Sequence, residues 1–196
     1  MVWRLTPLSQ TSVSPPIDPP HPFTLPMPYT LDQLNAMTEA EFVAAVGPAF
    51  EDTPRIAAQV WRQRPFASVA DLHQRMVALV RTMTPADQLA LIHAHPDLGT
   101  RVAMAEASVS EQSKAGLNTL SPEEYHLFQR LNQDYKDTFG FPFILAVAGH
   151  TKTSILENFT LRLRNSTDEE IATALLEIET IARSRLEAWV QGNSSP

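Results

Sequence analysis

From Thr30 onward one local pattern recurs: a hydroxyl residue followed within three positions by an acidic residue or a proline. It stands as Thr38-Glu-Ala-Glu41, Thr53-Pro54, Ser68-Val-Ala-Asp71, Thr84-Pro85, Ser121-Pro-Glu-Glu124 and Thr167-Asp-Glu-Glu170. In each, the hydroxyl can accept from an orphan amide of a helical first turn, and the acid or proline suits the positions just inside it. The segments that follow repeat apolar residues with the 3.6-residue period: Ile56, Val60 and Trp61; Leu72, Met76 and Val80; Leu175, Ile178, Ile181 and Leu186. No stretch sustains strict alternation between hairpin turn residues. The expected fold is all-α, a single-domain compact helical bundle closed by a helix of about 20 residues from Asp168.

Half of the 16 prolines precede position 29, where their fixed torsions and missing amide donors forbid a regular helix or inner strand. Residues 1–28 are therefore expected to be a poorly ordered Pro-rich tail, with a Pro-rich ligand as the second reading, and residues 29–192 the helical domain. A chain of 196 residues, 43% of them hydrophobic, is long enough to bury one core. Its formal charge of -7 repels a phosphate backbone, so nucleic acid is not an expected partner. The absence of cysteine removes disulfides, thiolate nucleophiles and Cys-ligated metals. No apolar run approaches the roughly 20 residues needed to span a bilayer, and Met1 to Leu8 lack the pattern of a secretory signal. No membrane association and a cytoplasmic location are the expectations.

Four segments carry residue types that do chemistry. His95, in Leu91-Ile-His-Ala-His-Pro-Asp-Leu98, ends an apolar helix just before a proline that turns the chain away. It reads either as a histidine complementing the helix dipole or as an acid/base whose ordinary pKa lies near neutrality. His93 and His95 form a His-x-His pair, but that spacing sets two imidazoles on different faces of a helix, and only His150 and Asp97 offer themselves as further ligands; no metal is expected. Glu111 follows Ser108 at capping-box spacing, a structural explanation that also leaves its carboxylate well placed to accept from a polar ligand. Arg162 and Arg164 lie near a helix end: one compensates the dipole, and the other can supply a guanidinium fork for a carboxylate. The run Phe139-Gly-Phe-Pro-Phe-Ile-Leu-Ala-Val-Ala-Gly149 is apolar yet rich in residues that bend a backbone. It is either a buried connector or a pocket wall that meets a ligand through main-chain groups.

Taken in order, Leu34-Asn35, Phe50-Glu51, Arg64-Pro-Phe66, His95-Pro-Asp-Leu98, Ser108-Val-Ser-Glu-Gln112 with Ala115-Gly-Leu117, Phe139-Gly-Phe-Pro-Phe-Ile144, Arg162-Leu-Arg-Asn165 and Glu177-Ile with Ile181-Ala182 resemble the decarboxylases of 2-oxo-4-hydroxy-4-carboxy-5-ureidoimidazoline (OHCU). The resemblance runs from about Leu34 to Val190. It implies a helical fold without metal or organic cofactor, and removal of the ring carboxylate of OHCU with stereospecific protonation to (S)-allantoin in urate degradation. Carried over by residue, it makes His95 the acid/base, Glu111 a substrate anchor and Arg162 an orienting group. Pro96, Ser108, Val109, Ser110, Glu111 and Gln112, with Phe143, Ile144, Leu145, Ala146 and Val147, would bind the substrate. A homodimer is implied as well, with urate oxidase and hydroxyisourate hydrolase as upstream suppliers.

Carbon dioxide leaves such a substrate with its electron pair delocalised into neighbouring imine and carbonyl groups, so the resemblance asks the protein mainly for position and one proton. The alternative of another class is a non-enzymatic helical binding module, in which the His, Glu and Arg elements are helix caps. A metal-dependent hydrolase built on His93 and His95 is a third.

Overall fold

Hydroxyl caps organise the chain in the computed structural model, which describes residues 29–98 and 120–191. Thr38, Ser68, Thr84 and Ser121 each accept from an amide of the first turn, and they open α2 (Glu39–Val46), α4 (Val69–Arg81), α5 (Pro85–His93) and α6 (Pro122–Phe139). Each such cap contributes about 1 kcal/mol. α1 (Leu31–Ala36) and α7 (Lys152–Arg162) are capped by Thr30 and Thr151. There Gln33 and Ser154 stand in for the expected acid and close the box by hydrogen bonding alone.

Two expected starts differ. α3 (Arg55–Trp61) has no side-chain cap, and Thr53 instead donates its amide to the Glu51 carbonyl at 2.8 Å. α8 (Thr167–Trp189) is capped by Ser166, whose box partner is Glu169, one residue earlier than the Thr167–Glu170 spacing predicts. The shift releases Glu170 from the cap and turns it inward, where it is completely buried. The all-α expectation also missed a small parallel pairing of β1 (Tyr29–Thr30) with β2 (Val190–Gln191). Two residues a side are too few to show alternation, and the partners lie at opposite ends of the described chain.

α8 packs against α4, α5 and the 3-10 turn Gly47–Phe50, with Ala174, Ile178, Ala182 and Leu186 wholly buried. Beside it sits an aromatic cluster. Phe143 stacks on Phe159 with centroids 3.8 Å apart, and Tyr135 meets Phe143 edge-on at 5.1 Å. α6 ends at Gly140, whose φ of 83° is inexpensive only for glycine. The chain then runs as Phe141–Val147 along this cluster without helix or strand.

A buried ion pair joins α7 to α8. Arg162 Nε donates to Glu170 Oε2 at 2.9 Å, Asn165 Nδ2 donates to Oε1 at 2.6 Å, and Tyr135 donates its hydroxyl to Oε2. Burial and this carboxylate together push the Tyr135 hydroxyl well up, so it stays protonated as a donor. Replacing Arg162 by Ala strands the Glu170 charge, and we expect a loss of about 3–5 kcal/mol in urea unfolding followed by circular dichroism. Arg164→Ala, at an exposed position on the same turn, is expected to change stability by less than about 0.5 kcal/mol. Equal effects of the two substitutions would contradict the buried-pair account.

Candidate active site

His95 is placed by local events at the end of α5. Ala94 terminates the helix, and Pro96 disfavours helical backbone at the residue before it. The ring folds back on the last turn, where Nδ1 lies 3.0 Å from the Leu91 carbonyl. A carbonyl only accepts, so Nδ1 carries the proton and Nε2 the lone pair. Nε2 is buried and has no hydrogen-bond partner among the described residues. One ring nitrogen therefore serves the helix end, as the dipole reading requires, and the other remains available for chemistry.

The His-Pro-Asp-Leu turn is held from α6. Asn132 Nδ2 donates to the Leu98 carbonyl at 2.7 Å, and Lys136 bridges to Asp97 at 2.6 Å. Asn132 is almost wholly buried, so the bond to Leu98 forms without competition from bulk water.

His95, Pro96 and Leu98 form one side of a pocket of about 350 Å³, counting space open to solvent. Phe143, Ile144, Leu145 and Val147 form a second side, and Ile181 and Arg185 on α8, with Glu51, complete it. The structure thus brings together His95, Pro96 and four of the five expected wall residues. Ala146 is not among the lining residues; its amide donates to Glu177 Oε2 at 2.8 Å. Arg162 is not there either: its guanidinium is spent on Glu170 and on the Ile144 carbonyl, 2.6 Å from Nη1, behind the wall. Ser108, Val109, Ser110, Glu111 and Gln112 lie outside the described residues. His93 is exposed while His95 is buried, and no group of three or more acidic or imidazole side chains is placed to hold a metal among the described residues.

Two pocket groups were not singled out from sequence. Arg185 donates from Nη2 to Glu51 Oε1 at 2.7 Å and from Nη1 to the Pro48 carbonyl at 3.1 Å, with both side chains of the ion pair nearly inaccessible. Its signal was present: Arg185 follows Ile178 and Ala182 by whole helical turns, an arginine on an apolar stripe. Glu51, which ends the 3-10 turn, adopts φ 50° and ψ -140°, a conformation that costs a non-glycine residue on the order of 1–3 kcal/mol. That backbone puts its carboxylate against Arg185. Only the strain has no sequence signal, because nothing in Phe50-Glu51-Asp52 marks a left-handed residue.

These observations define a helical protein with a buried neutral imidazole and a guanidinium in one small pocket. A family model described as OHCU decarboxylase matches residues 35–187. The chain is 42% identical over 158 residues to 2-oxo-4-hydroxy-4-carboxy-5-ureidoimidazoline decarboxylase of Halalkalicoccus jeotgali, covering 81% of this chain and 90% of that one. It is 44% identical to the uric acid degradation bifunctional protein PucL of Bacillus subtilis, covering 81% of this chain but only 32% of that longer protein. Its fold matches a crystal structure of (S)-allantoin synthase with a TM-score of 0.69 at 27% identity, over 84% of this chain and 54% of that one. The chain belongs to the OHCU decarboxylase family.

Burial holds the His95 imidazole below the ordinary histidine value of 6.5; the Leu91 carbonyl and Glu51 oppose that shift, and Arg185 adds to it. The unfolded chain therefore takes up this proton before the folded one does. The stability His95 contributes is present above about pH 6.5 and is lost as pH falls from there toward the folded value. Urea midpoints are expected to drop between about pH 7 and 5, more steeply in the wild type than in His95→Gln. Parallel slopes would mean that His95 is not the group titrating.

Proposed function

We propose that this protein is a carboxy-lyase that converts OHCU to (S)-allantoin, with His95 as the acid/base. The observation that carries the reading is the orphan Nε2 of His95: a buried nitrogen with its tautomer set by Leu91 and no partner among the described residues, in the same pocket as Arg185. Leaving such an atom unsatisfied costs about 1–3 kcal/mol, which a ligand hydrogen-bonded to it recovers. The family of the chain, the decarboxylase name of its archaeal relative and the (S)-allantoin synthase likeness all support the same substrate.

The chemistry asked of the pocket is modest. Arg185 is the cation among the pocket-lining residues and, with both Nη atoms engaged by Pro48 and Glu51, it meets an anionic group as a fixed charge and not as an open fork. As the ring carboxylate departs as carbon dioxide, the electron pair of the broken bond passes into the adjacent imine. The imine nitrogen takes a proton from water, the hydroxyl of the resulting enol gives its proton to His95 Nε2 as the carbonyl forms, and Nε2 passes that proton to the neighbouring ring carbon; delivery from the His95 side of the ring makes one enantiomer. No step calls for a cofactor, because the substrate carries its own electron sink. Glu111, with Ser108, Val109, Ser110 and Gln112, completes the substrate site in this reading. Supply by urate oxidase and hydroxyisourate hydrolase, a homodimer and a cytoplasmic location belong to it too. The likeness to part of a bifunctional uric acid degradation protein supports the place in that route.

The test follows allantoin formed from urate by those two enzymes, using circular dichroism with and without this protein. Optically active allantoin should accumulate with the wild type, and His95→Gln should slow it on the order of 10²-fold or more. A racemic product at the uncatalysed rate with the wild type would instead favour the binding-module reading.

A further inference from the structure

The pocket wall is held from behind, by side chains that do not line the pocket. Between residues 142 and 147 the chain forms neither helix nor turn, so its peptide groups need partners from elsewhere. Two find them on side chains of other elements: the Ile144 carbonyl accepts from Arg162 Nη1 at 2.6 Å, and the Ala146 amide donates to Glu177 Oε2 at 2.8 Å. Arg162 also lies over the Phe143 ring, 4.5 Å from its centroid. A trans peptide points its carbonyl and its amide in opposite directions, so the amide and carbonyl of the residue between these two anchors point away from Arg162 and Glu177. That residue is Leu145, which is nearly buried, lines the pocket, and makes no main-chain hydrogen bond among the described residues.

We infer that Glu177, together with Arg162, is a positioning residue: it pins the wall from behind so that the Leu145 peptide groups are presented to the substrate. The inference rests on the decarboxylase reading for the identity of that substrate. Neither side chain lines the pocket, so both act through the wall. Arg162 is also committed to Glu170, and its removal mixes positioning with stability. Glu177 is the cleaner handle, being half-buried and outside the Arg162–Glu170 ion pair.

Two substitutions separate reach from charge. Glu177→Asp keeps the charge but withdraws the acceptor by one methylene, and Glu177→Gln keeps an acceptor at full reach without the charge. If the wall is pinned as described, Glu177→Asp raises KM for OHCU about tenfold, the value of one charge-assisted hydrogen bond, while kcat stays within about threefold. Glu177→Gln keeps both within about threefold of the wild type. In hydrogen exchange, the Ala146 amide should lose protection in the Asp variant and keep it in the Gln variant. An unchanged KM in Glu177→Asp, or equal damage in both variants, overturns the proposal while leaving the decarboxylase reading intact. Racemic product from the wild type sinks that reading and the substrate half of the proposal. The exchange pattern alone then decides whether the wall is pinned.

Discussion

Glu170 is completely enclosed on α8, and its charge is tolerated only because Arg162, Tyr135 and Asn165 converge on it. Removing a carboxylate from water costs several kcal/mol unless such partners are in place, so the rotation of α8 about its axis is set by this contact. At about 100° per residue, Glu170, Ala174, Glu177, Ile181 and Arg185 then fall within one arc of about 80°. One face of one helix thereby carries the pair that anchors α7, the acceptor for the wall, and the two α8 residues of the pocket. The ends of the described chain are tied to the same helix by the short β1–β2 pairing that follows its last turn.

The site divides its polar groups between a front that lines the pocket and a back that holds the front still. His95 and Arg185 are at the front. Asn132 and Lys136 hold the turn that bears His95, Arg162 and Glu177 hold the wall, and Glu51 holds Arg185. Such support matters because a reacting group gains most when its geometry is set before the substrate arrives. Glu51 shows the cost of the arrangement: its left-handed backbone is unfavourable by itself and persists because the ion pair and the 3-10 turn over-determine it.

Burial of His95 has two consequences that work together. It lowers the proton affinity of the ring, so the imidazole is neutral at physiological pH, and it encloses Nε2 in the low-dielectric pocket. A neutral imidazole with a fixed tautomer can take up and return a proton at a single nitrogen. In the same enclosure the field of Arg185 is less screened than it would be in water.

Much of this was legible along the chain, because helix caps and apolar periods are decided by neighbours within four residues. Thr38, Ser68, Thr84 and Ser121 cap as their spacing requires, Gly140 stops α6, and His95 ends α5 before Pro96. Where two local choices were equivalent, sequence had no means to decide. Ser166 and Thr167 are both followed three residues later by glutamate, and only the burial of Glu170 selects the first. Arg162 and Arg185 both border apolar stripes; which one reaches the pocket depends on Ile144, Glu170, Pro48 and Glu51, all on other elements of the fold. The sequence by itself determined the helices, the acid/base candidate and the family, since these rest on local spacing and motif order. The tertiary structure decided which charges are buried together and which arginine lines the pocket, since a charge is placed by the partners that compensate its desolvation.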